Sequence, residues 1–169
     1  SYLLLVNPSS SARSIADLQG KSALVASRTD SNAGLAWLDI LLGKQKLGRA
    51  SSFFAPVKTT AKPQACVLPL FFGSVDACVV DEINFELLKE MNPQLGKLRV
   101  LARAAPLLEN VIATPVRLHP FRNEIVDATL SLHLDPRGRQ LLMVFKAGRL
   151  VRARPGDLNS SRELWRDFN

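Results

Sequence analysis

GSVDACVVDEINFELLKEM, residues 73–91, carries the transition that decides the fold. Val75 to Val80 is short, apolar and rich in β-branched and small side chains, so it reads as a buried strand. Asp81 and Glu82 stand at its carboxyl end, and Ile83 to Met91 follows as a helix with apolar positions at Ile83, Phe85, Leu87 and Leu88. A strand passing directly into a helix is the unit from which layered, mostly parallel sheets are built.

The same alternation extends upstream. Ala61 to Phe72 reads as a helix with Pro63 in its first turn, Pro69 inside it and Gly73 ending it. Before it lie a loop, Pro56 to Thr60, that carries Lys58 and Thr59, and a short strand at Phe53 and Phe54. Leu35 to Leu42 is a largely apolar helix stopped at Gly43, preceded by a polar loop and by a small apolar strand, Ser22 to Ala26. Tyr2 to Val6 is another buried strand, followed by a Pro/Ser turn and a short helical turn from Ser14 to Gln19. Downstream, Leu98 to Ala102 and Val111 to Thr114 read as strands, after which the pattern becomes helical: Phe121 to Leu132, Asp135–Pro136 to about Phe145, and Ser161 to Phe168. The expected class is therefore α/β, a layered αβα arrangement around a mostly parallel sheet, and ligands of such sheets bind at the carboxyl ends of strands.

Composition narrows the class of partner. The 169 residues are 47% hydrophobic and 22% charged, which excludes an intrinsically disordered chain. No apolar run approaches the ~20 residues of a membrane helix. The net charge of +7 suggests anionic partners, but it is spread as +3 over residues 1–110 (12 basic, 9 acidic) and +4 over 111–169 (10 basic, 6 acidic). The start at Ser1, without an initiator Met or a targeting signal, suggests a processed or trimmed chain. Cys66 and Cys78 read most simply as two small buried hydrophobes, a disulfide being open to them only in an oxidising compartment. With two histidines, His119 and His133, and no metal spacing, neither a metal nor a cofactor is expected.

One constellation has chemistry. Thr29-Asp30-Ser31-Asn32-Ala33-Gly34 opens a helix, with Asp30 or Ser31 as its cap. A helix N-terminus offers unpaired N–H groups and partial positive charge, a ready seat for a tetrahedral oxyanion, to which Thr29, Ser31 and Asn32 add donors. Lys58 could supply a point charge to the same anion. Asp81 and Glu82 could meet a ligand ammonium group or cap a helix; as a general acid–base pair they lack an accompanying nucleophile, so no enzyme is expected. Residues 137–154 carry Arg137, Arg139, Lys146, Arg149, Arg152 and Arg154 without an acid, which reads as a solvated basic face rather than a nucleic-acid site, since Phe145 is the sole aromatic among them.

Several segments together resemble a known family. Ile15-Ala16-Asp17-Leu18-Gln19-Gly20-Lys21 resembles the entry segment of type II periplasmic solute-binding proteins, and Asp30 to Gly34 resembles the helix start of their phosphate/phosphonate-binding branch. Gly73-Ser74-Val75-Asp76-Ala77 resembles that branch's strand motif, Leu98 to Leu101 its return strand, and Val111 to Gly138 its closing helices. The resemblance implies a two-lobed periplasmic component of an ABC transporter that closes on a small oxyanion, phosphonate or phosphate, and presents it to a membrane permease. Carried over residue by residue, it places ligand contacts at Thr29, Ser31, Asn32, Lys58, Thr59 and Asp81. Residues 1–97 would form the second lobe with hinge strands, and 98–169 the returning part of the first. The resemblance also implies that a segment of lobe one preceding Tyr2 is missing here, leaving an apolar face exposed or buried in a homo-oligomer. The alternative is the ligand-sensing effector domain of a LysR-like transcription regulator, which shares the architecture.

Overall fold

The computed structural model describes residues 1–27, 32–106, 111–144 and 147–168. The chain divides into two compact units, Ser1–Leu107 with Ser160–Asn169, and Leu108–Asn159. The first contains β1 (Tyr2–Val6), β2 (Ala23–Ala26), α1 (Ala33–Lys44), α2 (Ala50–Phe53), β3 (Val57–Thr60), α3 (Gln64–Phe71), β4 (Ala77–Asp81), α4 (Glu82–Met91) and β5 (Arg99–Arg103). The second contains α5 (Arg122–Ser131) and α6 (Pro136–Val144), each flanked by short 3-10 turns. A last helix, α7 (Asn159–Phe168), follows.

The five strands form one sheet in the order β3-β2-β4-β1-β5. β2 is parallel to β3 and β4. β1 is antiparallel to both β4 and β5. Four strands thus point one way and β1 points against them, so the sheet is mixed but mostly parallel in direction, as expected. Successive side chains of a strand face opposite sides, and here both sides are covered. Leu4, Val6, Ala23, Val25, Ala77 and Val79 pack with Trp37, Leu38 and Leu42 of α1 and with Phe53 of α2. Leu3, Leu5, Ala26, Cys78 and Val80 pack with Val67 and Leu70 of α3 and Phe85 of α4. This two-sided burial explains why β1 and β4 are continuous apolar runs.

Three expectations fail at the element level. Phe53 and Phe54 are not a strand: Phe53 ends α2, and both rings lie in the same core cluster with centroids 4.9 Å apart at 83°. Two adjacent strand residues would face opposite sides, so a helical turn is what lets both be buried together. The loop expected at Pro56 to Thr60 is instead β3, an outer strand whose polar side chains are tolerated because Lys58 and Thr59 are exposed. Val111 to Thr114 forms no strand; all four residues are exposed and pair with no sheet edge. The helix expected from Phe121 to Leu132 is present as α5, entered through a 3-10 turn, Val116–Phe121, that contains Pro120.

Cys66 and Cys78 are joined in a disulfide, with Cα atoms 5.7 Å apart. The simpler reading of two independent hydrophobes is corrected: both side chains are fully buried, but they pin α3 to β4. The two residues belong to different elements that meet only in the folded chain. Asp76 makes a second tie, between the starts of β2 and β4. Its Oδ2 accepts from the Ser22 N–H at 2.9 Å and from the Ser22 hydroxyl at 2.7 Å, while its own N–H donates to Ser22 Oγ at 3.1 Å.

Reduction, or the double replacement Cys66→Ser with Cys78→Ser, is expected to cost about 3 kcal/mol of unfolding free energy, the loop-closure value for a bridge of this span. Chemical denaturation with and without reductant measures it. The Ser22 hydroxyl, aided by the Ser22 N–H and the Lys21 charge, holds the Asp76 carboxyl below its ordinary value despite slight burial. A depressed folded-state value stabilises above the unfolded one, and the contribution disappears as pH falls through the folded one. Wild-type stability is therefore expected to drop below about pH 4 more steeply than that of Asp76→Asn, in denaturation curves recorded between about pH 2 and 6.

Candidate functional site

Strand register defines one edge of the sheet. Ala26 pairs with Thr60, Tyr2 with Asp81, and Leu3 with Arg103. The carboxyl ends of β2, β3, β4 and β5 therefore come level with the amino end of β1. Asn32 enters α1 beyond β2, and Asp81 closes β4, the strand next to β2. Lys58 and Thr59 lie on the other side of β2, inside β3 rather than in a loop. Lys58 pairs with Leu24 and Thr59 with Val25, so the two side chains leave the sheet on opposite faces. Thr29 and Ser31 fall outside the described residues.

Two helices begin at this edge, and they are finished differently. At α4, Asp81 is the cap: its Oδ1 accepts from the Asn84 N–H at 2.9 Å and its Oδ2 from the Asn84 side-chain amide at 2.7 Å. Glu82 adds negative charge to the same first turn. Glu82 in turn forms an ion pair with Arg103, and its other oxygen accepts from the Ser1 hydroxyl at 2.9 Å. The positive end of α4 is thus neutralised by the chain's own carboxylates. At α1 the N-cap residue Asn32 makes no side-chain capping bond, and the first turn carries no acid. Among the described residues, the start of α4 thus carries two carboxylates and the start of α1 none.

Gly34 sets how near that helix comes. A Cβ there would lie 3.2 Å from Tyr2 Cε1, 3.3 Å from the Ala26 carbonyl oxygen and 3.3 Å from Val25 Cγ1. A Cβ would oblige these neighbours to give by a few tenths of an ångström, so glycine eases the approach of the first turn of α1 to the end of β2. Tyr2 fills the space beside it and stacks on Trp37 of the same helix, with centroids 6.2 Å apart at 21°.

Sequence reading missed two contributors to this edge. Arg103 lies one residue past the strand expected there, and its pairing with Glu82 depends on β1 lying between β4 and β5. Ser27, the buried polar residue directly after β2, donates its N–H to the Thr60 carbonyl at 2.9 Å. A concavity of about 540 Å³ lies at the far end of α1 between Asp39, Lys44, Lys46 and Arg49. It is remote from the strand carboxyl ends, and the Asp39 carboxylate there is engaged by the Ala50 N–H at 2.7 Å. Among the described residues no cluster of three or more His, Cys, Asp or Glu is placed to hold a metal ion, and no helix is long and apolar enough to cross a membrane.

A mostly parallel sheet with one reversed strand, covered on both faces and with helix starts at its carboxyl edge, is the architecture of the type II periplasmic binding proteins. The chain belongs to the family of periplasmic phosphonate-binding proteins of ABC transporters, whose model matches residues 1–158. Solved structures agree on the fold. A Xanthomonas citri protein bound to ATP superimposes with a TM-score of 0.75 at 15% identity, covering 99% of this chain and 65% of that one. PhnD1 of Prochlorococcus marinus in complex with methylphosphonate gives 0.70 at 17% identity, covering 98% and 65%. A binding-protein component of an ABC phosphonate transporter from Pseudomonas aeruginosa gives 0.64 at 16%, covering 97% and 56%. The chain therefore spans less than two thirds of the length of these proteins. No curated protein matches it by sequence. The family match, to a transporter's substrate-binding component rather than an enzyme, gives no support to the regulator alternative.

Gly34→Leu is expected to push α1 off β2, costing about 1–3 kcal/mol and weakening the near-ultraviolet circular dichroism of the Tyr2–Trp37 stack. Asp81→Ala is expected to cost about 0.5–2 kcal/mol through loss of the α4 cap, and Asp81→Asn much less. Denaturation midpoints of the variants check both.

Proposed function

We propose that this chain carries the oxyanion-gripping unit of a solute-binding component of an ABC transporter, working in the periplasm and handing its ligand to a membrane permease. The observation that carries the reading is the contrast between the two helix starts. α4 is closed by Asp81 and Glu82, whereas among the described residues α1 has no acid in its first turn and no capping bond from the Asn32 side chain. An anion at α1 would take N–H donors from the backbone and hydroxyl or amide donors from Thr29, Ser31 and Asn32. Thr59, which leaves β3 on the α1 face with Val25, would add a further hydroxyl, and Lys58, on the other face, would add charge at longer range. Asp81, fixed by Asn84, would border the ligand rather than move toward it.

The proposed ligand class is a tetrahedral phosphorus oxyanion, phosphonate or phosphate. Methylphosphonate and ATP, named for two of the solved relatives, share that group. Once residues from Leu98 onward have supplied β5, residues 108–159 would belong to the other lobe. Delivery by binding and release requires no bond to be made or broken, which accords with an edge whose carboxylates serve as a cap and an ion pair.

Isothermal calorimetry with methylphosphonate, phosphate and sulfate tests the reading. Ser31→Ala removes one charge-assisted hydrogen bond and is expected to cost about 1.5–3 kcal/mol, a loss of roughly tenfold to a hundredfold in affinity. Asn32→Asp, which places a carboxylate at the α1 start, is expected to abolish binding. Affinity unchanged in both variants would reject the α1 start as the anion seat.

A further inference from the structure

Residues 40–75 contain no acid, and the first three cations among them, Lys44, Lys46 and Arg49, line one concavity of about 540 Å³. The concavity lies at the carboxyl-terminal end of α1. A helix of this length runs about 18 Å, so the anion seat proposed above is at its opposite end. The loop that carries the cations is anchored on both sides. The Lys46 N–H donates to the Gly43 carbonyl at 2.9 Å and the Leu47 N–H to the Leu42 carbonyl at 3.0 Å, which closes α1. Lys46 holds a φ of 60°, in the left-handed region where glycine or asparagine is usual, and Gly48 holds 85°. Leu47 packs against the α1 core cluster, Ala50 is fully buried, and the Ala50 N–H donates to Asp39 Oδ1 at 2.7 Å.

A single surface lysine is ordinarily solvated, but three cations around one hollow reinforce each other's potential. Asp39 is the acid among the lining residues, and it offsets that charge only in part. Among the described residues neither the Lys46 nor the Arg49 side chain has an ion-pair partner, and both are exposed. We propose that this hollow is a second anion site, separate from the α1 start, and that it takes a small polyvalent anion, an oligophosphate or a polycarboxylate. The donors decide the class. The N–H groups of Lys46, Leu47 and Ala50 are already engaged, so recognition falls to side chains rather than to a backbone cradle. Arg49 can grip a carboxylate or phosphate with two parallel N–H groups, while the lysines act as point charges. Cations distributed around a rim match several linked negative groups better than one tetrahedral ion. The site shares no residue with the proposed seat at Thr29, Ser31 and Asn32, so either can fail while the other stands.

Calorimetric titration at low salt with tripolyphosphate and, separately, with citrate tests it. The titrations use the Asn32→Asp chain, in which a carboxylate opposes anions at the α1 start. At least one of the two probes is expected to bind, and which one binds assigns the ligand class. Adding Lys46→Gln and Arg49→Gln is expected to weaken binding about fivefold for each cation removed. Adding Lys46→Arg with Arg49→Lys instead, which keeps both charges, is expected to preserve binding. All four substitutions fall on exposed side chains and leave the buried anchors Leu47 and Ala50 in place, and thermal melts check that the fold is kept. Absence of binding by both probes at millimolar concentration would overturn the proposal. So would binding that the double glutamine variant keeps undiminished, or that the charge-conserving variant loses equally.

Discussion

β1 runs against its four companions and lies between β4 and β5, so the level of every strand end at the functional edge is counted from it. Leu3, Leu4, Leu5 and Val6 are buried on both faces, two against α1 and two against α3 and α4. A strand buried on both sides cannot slip by one residue without exchanging its two apolar sets, and a slip by two would leave hydrogen bonds unmade. Pairing Tyr2 with Asp81 and Leu3 with Arg103 therefore fixes the heights of the carboxyl ends of β4 and β5 at once. The irregularity between Leu4 and Leu5 is taken up on the β5 side alone, leaving the β4 pairing continuous.

From that register the electrostatics of the edge follow. Glu82 and Arg103 flank the beginning of β1 and neutralise one another, while Asp81 turns its carboxylate inward on its own helix. Gly34 keeps the start of α1 close against β2. The disulfide acts on the opposite face, where it joins α3 to β4 beneath the same edge. It also belongs chemically with the periplasm that the family inhabits, where thiols oxidise and stay oxidised.

Much of this was legible along the chain, for identifiable reasons. β1, β2 and β4 announce themselves because a doubly covered strand must be apolar throughout, and Asp81 is found by standing where such a run ends. β3 reads as a loop because Val57-Lys58-Thr59-Thr60 has one apolar residue, yet an outer strand needs no more when a neighbour supplies its hydrogen bonds. The β-branched run at Val111 misled in the opposite sense, since propensity without a sheet edge to join makes no strand. The pairing of Glu82 with Arg103, and of Cys66 with Cys78, depends on strand order and on which face a helix covers. Neither is local, so neither could be read from spacing. Of the proposed anion site, the chemistry of a helix start was legible; that Asp81 caps α4 while the Asn32 side chain makes no such bond at α1 is visible only from side-chain geometry.

Lys58 has a second consequence by virtue of where β3 lies. As the outermost strand, β3 presents one row of backbone groups that no other strand of this sheet takes up. Such a row invites a foreign strand to add to it, and a lysine in the middle of a four-residue outer strand opposes the addition by charge and by the cost of dehydrating its ammonium group. Lys58 therefore guards the protein against aggregation, whatever it contributes to a ligand. Neutralising it would change colloidal behaviour along with affinity, so the two effects must be separated by working at several protein concentrations.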